Sequence, residues 1–74
     1  MDRQEVESSM LVSIGYDHYR EVLEVEFKHG AVYEYYDVPN DVYHTMITRN
    51  ERGESVGSWF AARVKQSYRY SRVR

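Results

Sequence analysis

Alternation of apolar and polar residues divides the first half of the chain into three predicted β-strands. The clearest is the middle one, in which Leu23, Val25 and Phe27 alternate with charged residues. Residues 10–16 alternate in the same way, and residues 31–38 are rich in tyrosine and valine, as strands commonly are. The polar residues 17–21 between the first two strands predict a loop.

The turn between the second and third predicted strands fixes which side chains share a face. A two-residue turn would mix acidic and apolar residues on both faces. A three-residue turn over residues 28–30, with Gly30 in the left-handed conformation, instead pairs Val25 with Tyr33 and Leu23 with Tyr35. This register places the two tyrosines on the core side. The outer side then carries Glu24, Glu26, Val32, Glu34 and Tyr36.

The second half of the chain changes to helical spacing. Pro39 suits a first helical turn, and apolar residues follow at 42, 43, 46 and 47, which predicts a helix over about residues 39–49. Apolar residues at 56, 59, 60 and 64 predict a second helix, capped by Ser55 or Ser58. Tyr68, Tyr70 and Val73 fit a short final strand. The prediction is an α+β fold of order β-β-β-α-α-β, a three- to four-stranded antiparallel meander with two short helices packed on one face.

Size and composition indicate one small domain. Residues 1–7 are polar and predict a flexible N-terminal arm, and residues 8–74 predict a single domain. The absence of cysteine excludes disulfides and thiolate metal sites and favours a reducing compartment. No signal peptide and no membrane-length apolar segment are present in the sequence, so we expect a cytoplasmic protein without membrane contact.

Charge is divided unequally along the chain. Residues 1–54 hold all twelve acids and five cations, a formal charge of −7, whereas residues 55–74 hold five cations and no acid. The cations of the second part are called the basic strip below: Arg63, Lys65, Arg69, Arg72 and Arg74. Aromatic residues are interleaved with them, and cations with ring faces suit phosphates and bases. The same cations would equally suit an acidic surface of the protein itself.

Several short elements in this order resemble the KTSC domain family. They are Ser8-Ser9, Gly15-Tyr16-Asp17, Leu23-x-Val25-x-Phe27, Gly30, Tyr33-Glu34-Tyr35, Val38-Pro39, Ser55-x-Gly57, Phe60 and Tyr68-x-Tyr70. The family is named for an extension at the C-terminus of some lysyl-tRNA synthetases and includes small stand-alone bacterial and phage proteins. The resemblance covers residues 6–73 and implies a small domain for which RNA binding has been suggested from that association. The sequence departs from the family at Trp59, where Tyr or Phe is commoner, and at Ala61-Ala62, where an Asn is frequent.

The first functional hypothesis is a nucleic-acid-binding module, with RNA or another single strand as its ligand. Its cations would be Arg63, Lys65, Arg69 and Arg72, and its stacking rings Tyr70 and Tyr36. The competing structural interpretation has Arg69 on the outer face of the last strand, neutralising the nearby glutamates.

The second hypothesis is a protein-interaction module, including a phage or mobile-element factor that binds or inhibits a host protein. Its site would be the acidic face, defined here as Glu24, Glu26 and Glu34, which would attract a basic partner. Homo-oligomerisation through an exposed strand edge is compatible with either hypothesis.

The pattern favours neither an enzyme nor a metalloprotein. His18 and His29 lie in turns at opposite ends of a predicted strand, roughly 20 Å apart at 3.3 Å per residue, too far to share a metal. No nucleophile motif or glycine-rich phosphate loop is present in the sequence. We also expect so small a core to enclose no deep pocket. The prediction is therefore no catalytic residue, no metal and no cofactor.

Overall fold

A five-stranded antiparallel meander packs against two helices in the computed structural model, which describes residues 2–74. Its strands follow one another across the sheet in the order of the chain, β1-β2-β3-β4-β5. The element bounds are β1 Arg3–Glu5, β2 Leu11–Asp17, β3 Val22–Phe27, β4 Val32–Tyr35, α1 Asn40–Glu51, α2 Val56–Arg63 and β5 Tyr70–Arg72. The α+β class and the order of the elements predicted from the sequence are confirmed.

The β3–β4 hairpin has the predicted three-residue register. Val25 pairs with Tyr33 and Leu23 with Tyr35, and the Phe27 amide donates to the carbonyl of Ala31 across the turn. Gly30 has a φ of +97°, the left-handed conformation that glycine adopts at little cost. The two faces of the hairpin are therefore chemically different, with rings on the helix side and carboxylates on the other.

One core lies between the sheet and the helices. Tyr35 of β4 contacts Phe60 of α2 edge to face, with ring centroids 5.4 Å apart. Tyr16 of β2 stacks on Tyr43 of α1 at 5.3 Å. The buried members of the core are Leu11, Ile14, Leu23, Val25, Phe27, Tyr35, Val38, Met46, Val56, Phe60 and Val64.

The start of α2 packs closely against the segment that precedes β2. The Ser55 hydroxyl caps the helix by accepting from the amide of Ser58. In the facing segment, the Ser8 hydroxyl accepts from the amides of Met10 and Leu11. Gly57 lies against this turn, and a Cβ at Gly57 would come within 2.7 Å of the Ser8 hydroxyl. Glycine at this position therefore allows the two segments to pack closely.

The N-terminal segment differs from the predicted flexible arm. Residues 3–5 form β1, an additional strand that pairs with β2 through Arg3↔Gly15 and Glu5↔Ser13. Its three residues were too polar and too few to show a strand pattern. Met1 of the predicted arm lies outside the described residues. None of the helices formed by residues 2–74 is long and apolar enough to cross a membrane.

Candidate nucleic-acid interface

An open groove of about 860 Å³ lies on the helix side of the sheet, beside the β4–β5 pair. Its lining comes from the segment before β2, from β3 and the β3–β4 turn, from β4, from the segment between α2 and β5, and from β5. The residues that line this aromatic groove are Ser9, Met10, Phe27, Lys28, His29, Tyr33, Tyr35, Lys65, Gln66, Tyr68 and Tyr70. A domain this small thus offers more concave surface than its sequence predicted.

Tyrosine rings form the floor of the groove. The rings of Tyr33, Tyr35 and Tyr70 lie in mutual contact, with centroids 5.4–6.4 Å apart. The Tyr33 ring also meets Phe27 edge on, and His29 stacks parallel to Phe27 at 5.6 Å. Tyr70 is 56% exposed, so it offers an open ring surface beside two more buried rings. Flat ligands could stack on such a surface.

The charge of the groove is positive. Lys28 of the β3–β4 turn and Lys65 of the segment after α2 both line it, and no carboxylate is among the lining residues. Arg72 pairs with Tyr33 across β4 and β5, so its side chain leaves the sheet on the same face as that ring. A ligand with an aromatic ring and negative charge therefore complements both the tyrosine rings and the cations.

Tyr35 has an unusual position in the groove floor. Its side chain is 98% buried, yet its hydroxyl has no hydrogen-bond partner within residues 2–74, whereas the hydroxyls of Tyr16 and Tyr36 do. No fully enclosed side-chain polar atom lacks a partner in this part of the chain, so the Tyr35 hydroxyl must open into the groove. Burial, together with the neighbouring Tyr70 and Tyr33, raises the pKa of Tyr35 to about 12. The phenol is therefore neutral across the physiological pH range and able to donate a hydrogen bond.

The acidic face lies on the other side of the sheet and is paired within the domain. Arg3 reaches Glu24 at 3.3 Å and Glu26 at 3.7 Å. Arg20 approaches Glu34 at 4.0 Å, and Arg74 approaches Glu26 at 3.9 Å. Glu24 does lie opposite Glu34, as the register predicted. The cations that relieve their repulsion come from β1, the β2–β3 turn and the C-terminus.

Arg69 and Tyr36 form a separate contact on the rim of that face. The Arg69 guanidinium bonds Asp37 at 3.0 Å and lies over the Tyr36 ring at 5.4 Å, so it does not neutralise the acidic face as the structural interpretation expected. The Tyr36 hydroxyl meets Ser71 at 2.6 Å and Glu34 at 3.3 Å. The structure thus separates these two candidates from Lys65 and Tyr70, which line the groove, and from Arg72, which leaves the sheet on the same face as the groove.

The positions of the remaining candidate residues follow from the helices, strands and turns that carry them. Arg63 is exposed in the last turn of α2 and does not line the groove. His18 and His29 lie in the turns at opposite ends of β3. Within residues 2–74, no group of three or more His, Asp or Glu side chains is placed to hold a metal ion.

Several residues that line the groove were not among the site residues predicted from the sequence, including Lys28, His29, Tyr33, Tyr35 and Tyr68. Lys28 was treated as a turn residue, His29 was considered only for a metal site, the register placed Tyr33 and Tyr35 on the core side, and Tyr68 was assigned to a strand. The signal for three of them was the register itself, because a three-residue turn places Tyr33 beside the residues of the turn. The segment after α2 brings Tyr68 and Lys65 to the groove. The pattern of apolar and polar residues in the sequence does not predict the path of this segment.

The fold and the groove define a class of small α+β domain that presents an aromatic, cationic groove on a five-stranded meander. The sequence model of the KTSC domain family matches residues 7–70. The chain therefore belongs to the KTSC domain family, as its motifs indicated.

Relatives support the same assignment. A KTSC domain protein from Yersinia pestis, solved by crystallography, superposes with a TM-score of 0.86 at 30% identity and covers 99% of this chain and 97% of its own. An uncharacterized protein of Stutzerimonas stutzeri is 38% identical over 73 residues, 99% of each chain. A protein of Tsukamurella paurometabola is 36% identical over 66 residues, 89% of this chain and 92% of its own. None of these names carries an enzymatic activity.

Proposed function

We propose that the protein is a non-enzymatic binding module that holds single-stranded RNA in the aromatic groove. The observation that carries the proposal is the grouping of the Tyr33, Tyr35 and Tyr70 rings in one groove with two lysines and no carboxylate in the lining. Bases would stack on the exposed Tyr70 ring while phosphates meet the ammonium groups. Duplexes are disfavoured, because their stacked and paired bases cannot reach a ring in a groove.

The cations proposed to contact RNA phosphates are only in part those of the basic strip. Lys65 and Arg72 come from the strip, and Lys28 joins them from the β3–β4 turn. Arg69 is engaged by Asp37, and Tyr36 lies on the opposite face of the sheet. The alternative, a basic protein partner on the acidic face, is weaker because those carboxylates already have arginine partners.

The stacking role is tested by fluorescence anisotropy with a labelled ten-nucleotide RNA of mixed sequence at low salt. Tyr70→Ala is expected to weaken binding roughly tenfold, within the range for loss of one base–ring stack. Tyr19→Ala is the matched control, because this tyrosine is 99% exposed on the β2–β3 turn, away from the groove. Equal losses in the two variants would contradict a stacking role for the groove.

The electrostatic role is tested by salt dependence of the same binding. Three engaged cations predict a log–log slope of about −2 for a single strand, and Lys65→Ala should reduce its magnitude by about 0.7. Arg20→Ala, on the β2–β3 turn, is the charge-matched control and should leave the slope unchanged.

Three results would overturn the proposal. The first is no binding at low salt. The second is competition by polyglutamate as strong as that by RNA, which would indicate an acidic protein partner for the groove. The third is an interaction abolished by Glu34→Lys but retained by Lys65→Ala, which would support the acidic face instead.

A further inference from the structure

The Tyr35 hydroxyl opens into the groove and makes no hydrogen bond within residues 2–74, although the rest of the residue is buried. Its ring is fixed by contacts with Phe60, Tyr33 and Tyr70, so the hydroxyl has a defined place in the groove floor. Because this hydroxyl faces the groove, a ligand can replace the water that would otherwise bond to it. It is placed to bond a group that enters the groove.

Two of the polar side chains that line the groove act only as donors. Lys28 and Lys65 can only donate hydrogen bonds, and no acidic side chain lines the groove to accept one. A neutral phenol can donate or accept a hydrogen bond. Because the lysine ammonium groups can only donate, a ligand with several acceptor atoms can form hydrogen bonds with the phenol and with the ammonium groups. Uracil presents two carbonyl oxygens and one N–H group on its base-pairing edge, so acceptors outnumber donors there. Adenine presents there one ring nitrogen beside an amino group, which would meet these donors with another donor.

Resting on the proposed function, we propose that Tyr35 is a specificity-determining residue whose hydroxyl donates to a base carbonyl, so that the groove prefers uracil to adenine. Stacking alone would not produce this preference, because every base has a ring face and the adenine ring is the larger one. A preference for uracil therefore reports the hydrogen bond and not the stack. The residue acts only in recognition, and no bond of the RNA is made or broken.

The test compares oligouridine and oligoadenosine ten-mers with the same label at the same low salt concentration. For the unmodified protein, we expect oligouridine to bind about three- to tenfold more tightly, the ratio that one net hydrogen bond supplies. Tyr35→Phe keeps the ring and removes the hydroxyl, so the ratio should fall to about one through loss of oligouridine affinity. Tyr43→Phe, a tyrosine of α1 outside the groove, is the control and should retain the preference.

The outcomes separate this inference from the proposed function. Binding of both oligomers with a ratio near or below one, or an unchanged ratio in Tyr35→Phe, overturns the role of Tyr35 but leaves the groove as an RNA site. Binding of neither oligomer overturns both. Retained oligoadenosine binding by Tyr35→Phe shows that the variant is folded, and in that case a collapsed ratio supports the hydroxyl's role.

Discussion

At the scale of single residues, neighbours in the chain have opposite roles because a strand alternates its side chains. Tyr35 is buried in the groove floor, whereas Tyr36 lies on the other side and bonds Ser71. The same type of side chain therefore lies in the groove at position 35 and at the edge of the acidic face at position 36. A count of tyrosines cannot distinguish the two, but the register of the hairpin does.

The alkaline stability of the fold should depend on Tyr35. Its folded pKa of about 12 lies above the ordinary value of about 10, so folding favours the neutral phenol. This contribution to the free energy of unfolding is fully present below pH 10 and is lost as pH rises through 12. Urea unfolding between pH 9 and 12 should show a decline that is shallower in Tyr35→Phe. Some decline should remain, because burial also raises the pKa of Tyr16 and Tyr43. Identical declines in both proteins would contradict the assignment.

Gly57→Ala should destabilise the domain although alanine is the better helix former. The added Cβ would lie 2.7 Å from the Ser8 hydroxyl, which two backbone amides hold in place. We expect a loss of about 1–3 kcal/mol in the free energy of unfolding, typical of overpacking. The double variant Ser8→Ala, Gly57→Ala removes the obstructing oxygen, so its loss should be smaller than the sum of the single losses. Strict additivity in this cycle would exclude the clash.

At the scale of elements, the pattern of apolar and polar residues predicted the strands and helices whose formation depends on their own sequence. Alternation located β2, β3 and β4, and helical spacing located both helices, because each element buries one face. Strand β1 was missed, since it is held by pairing with β2 and by Arg3 reaching over Gly15 to Glu24, contacts between residues far apart in sequence. The groove was missed for the same reason. It joins the segment before β2 to the segment after α2, and no periodicity reports where such segments meet.

Gly15→Ala should release β1 without unfolding the rest of the sheet. An added Cβ would lie 2.6 Å from the backbone oxygen of Asp2 and 2.9 Å from the Arg3 side chain, and backbone cannot yield cheaply. The amides of β1 should lose their protection from hydrogen exchange, while those of β3 should keep theirs. Ser13→Ala, on the same face of β2, is the control. Unchanged protection of β1 in Gly15→Ala would show that the strand tolerates the extra methyl group.

At the scale of the whole molecule, the unequal charge distribution along the chain becomes two different surfaces. The acidic residues of the sheet are paired mainly with arginines from other segments, including Arg74 of the basic strip. The groove keeps Lys28 and Lys65 without any carboxylate in its lining. The net charge of −2 therefore does not describe the surface that an anionic ligand would meet.

An RNA titration followed by NMR should locate this surface directly. We expect amide shifts around the groove, at Lys28, His29, Lys65 and Tyr70, and none in β1 or the β2–β3 turn, because the sheet separates them from the ligand. A fully paired duplex of the same length is the control and should cause smaller shifts. Shifts centred on Glu24 and Glu34 would place the interface on the acidic face.

The three-residue turn over residues 28–30 has a further consequence for how this domain can vary. Replacing His29 leaves the pairing of β3 with β4 intact, so substitution there should be tolerated as far as the fold is concerned. Lengthening or shortening the turn by a single residue would move the side chains of one strand to the opposite face of the sheet. The tyrosines would then lie on the same side as the glutamates, or apolar residues would face water. The size of this connection, more than its composition, is thus what natural or engineered variants must preserve.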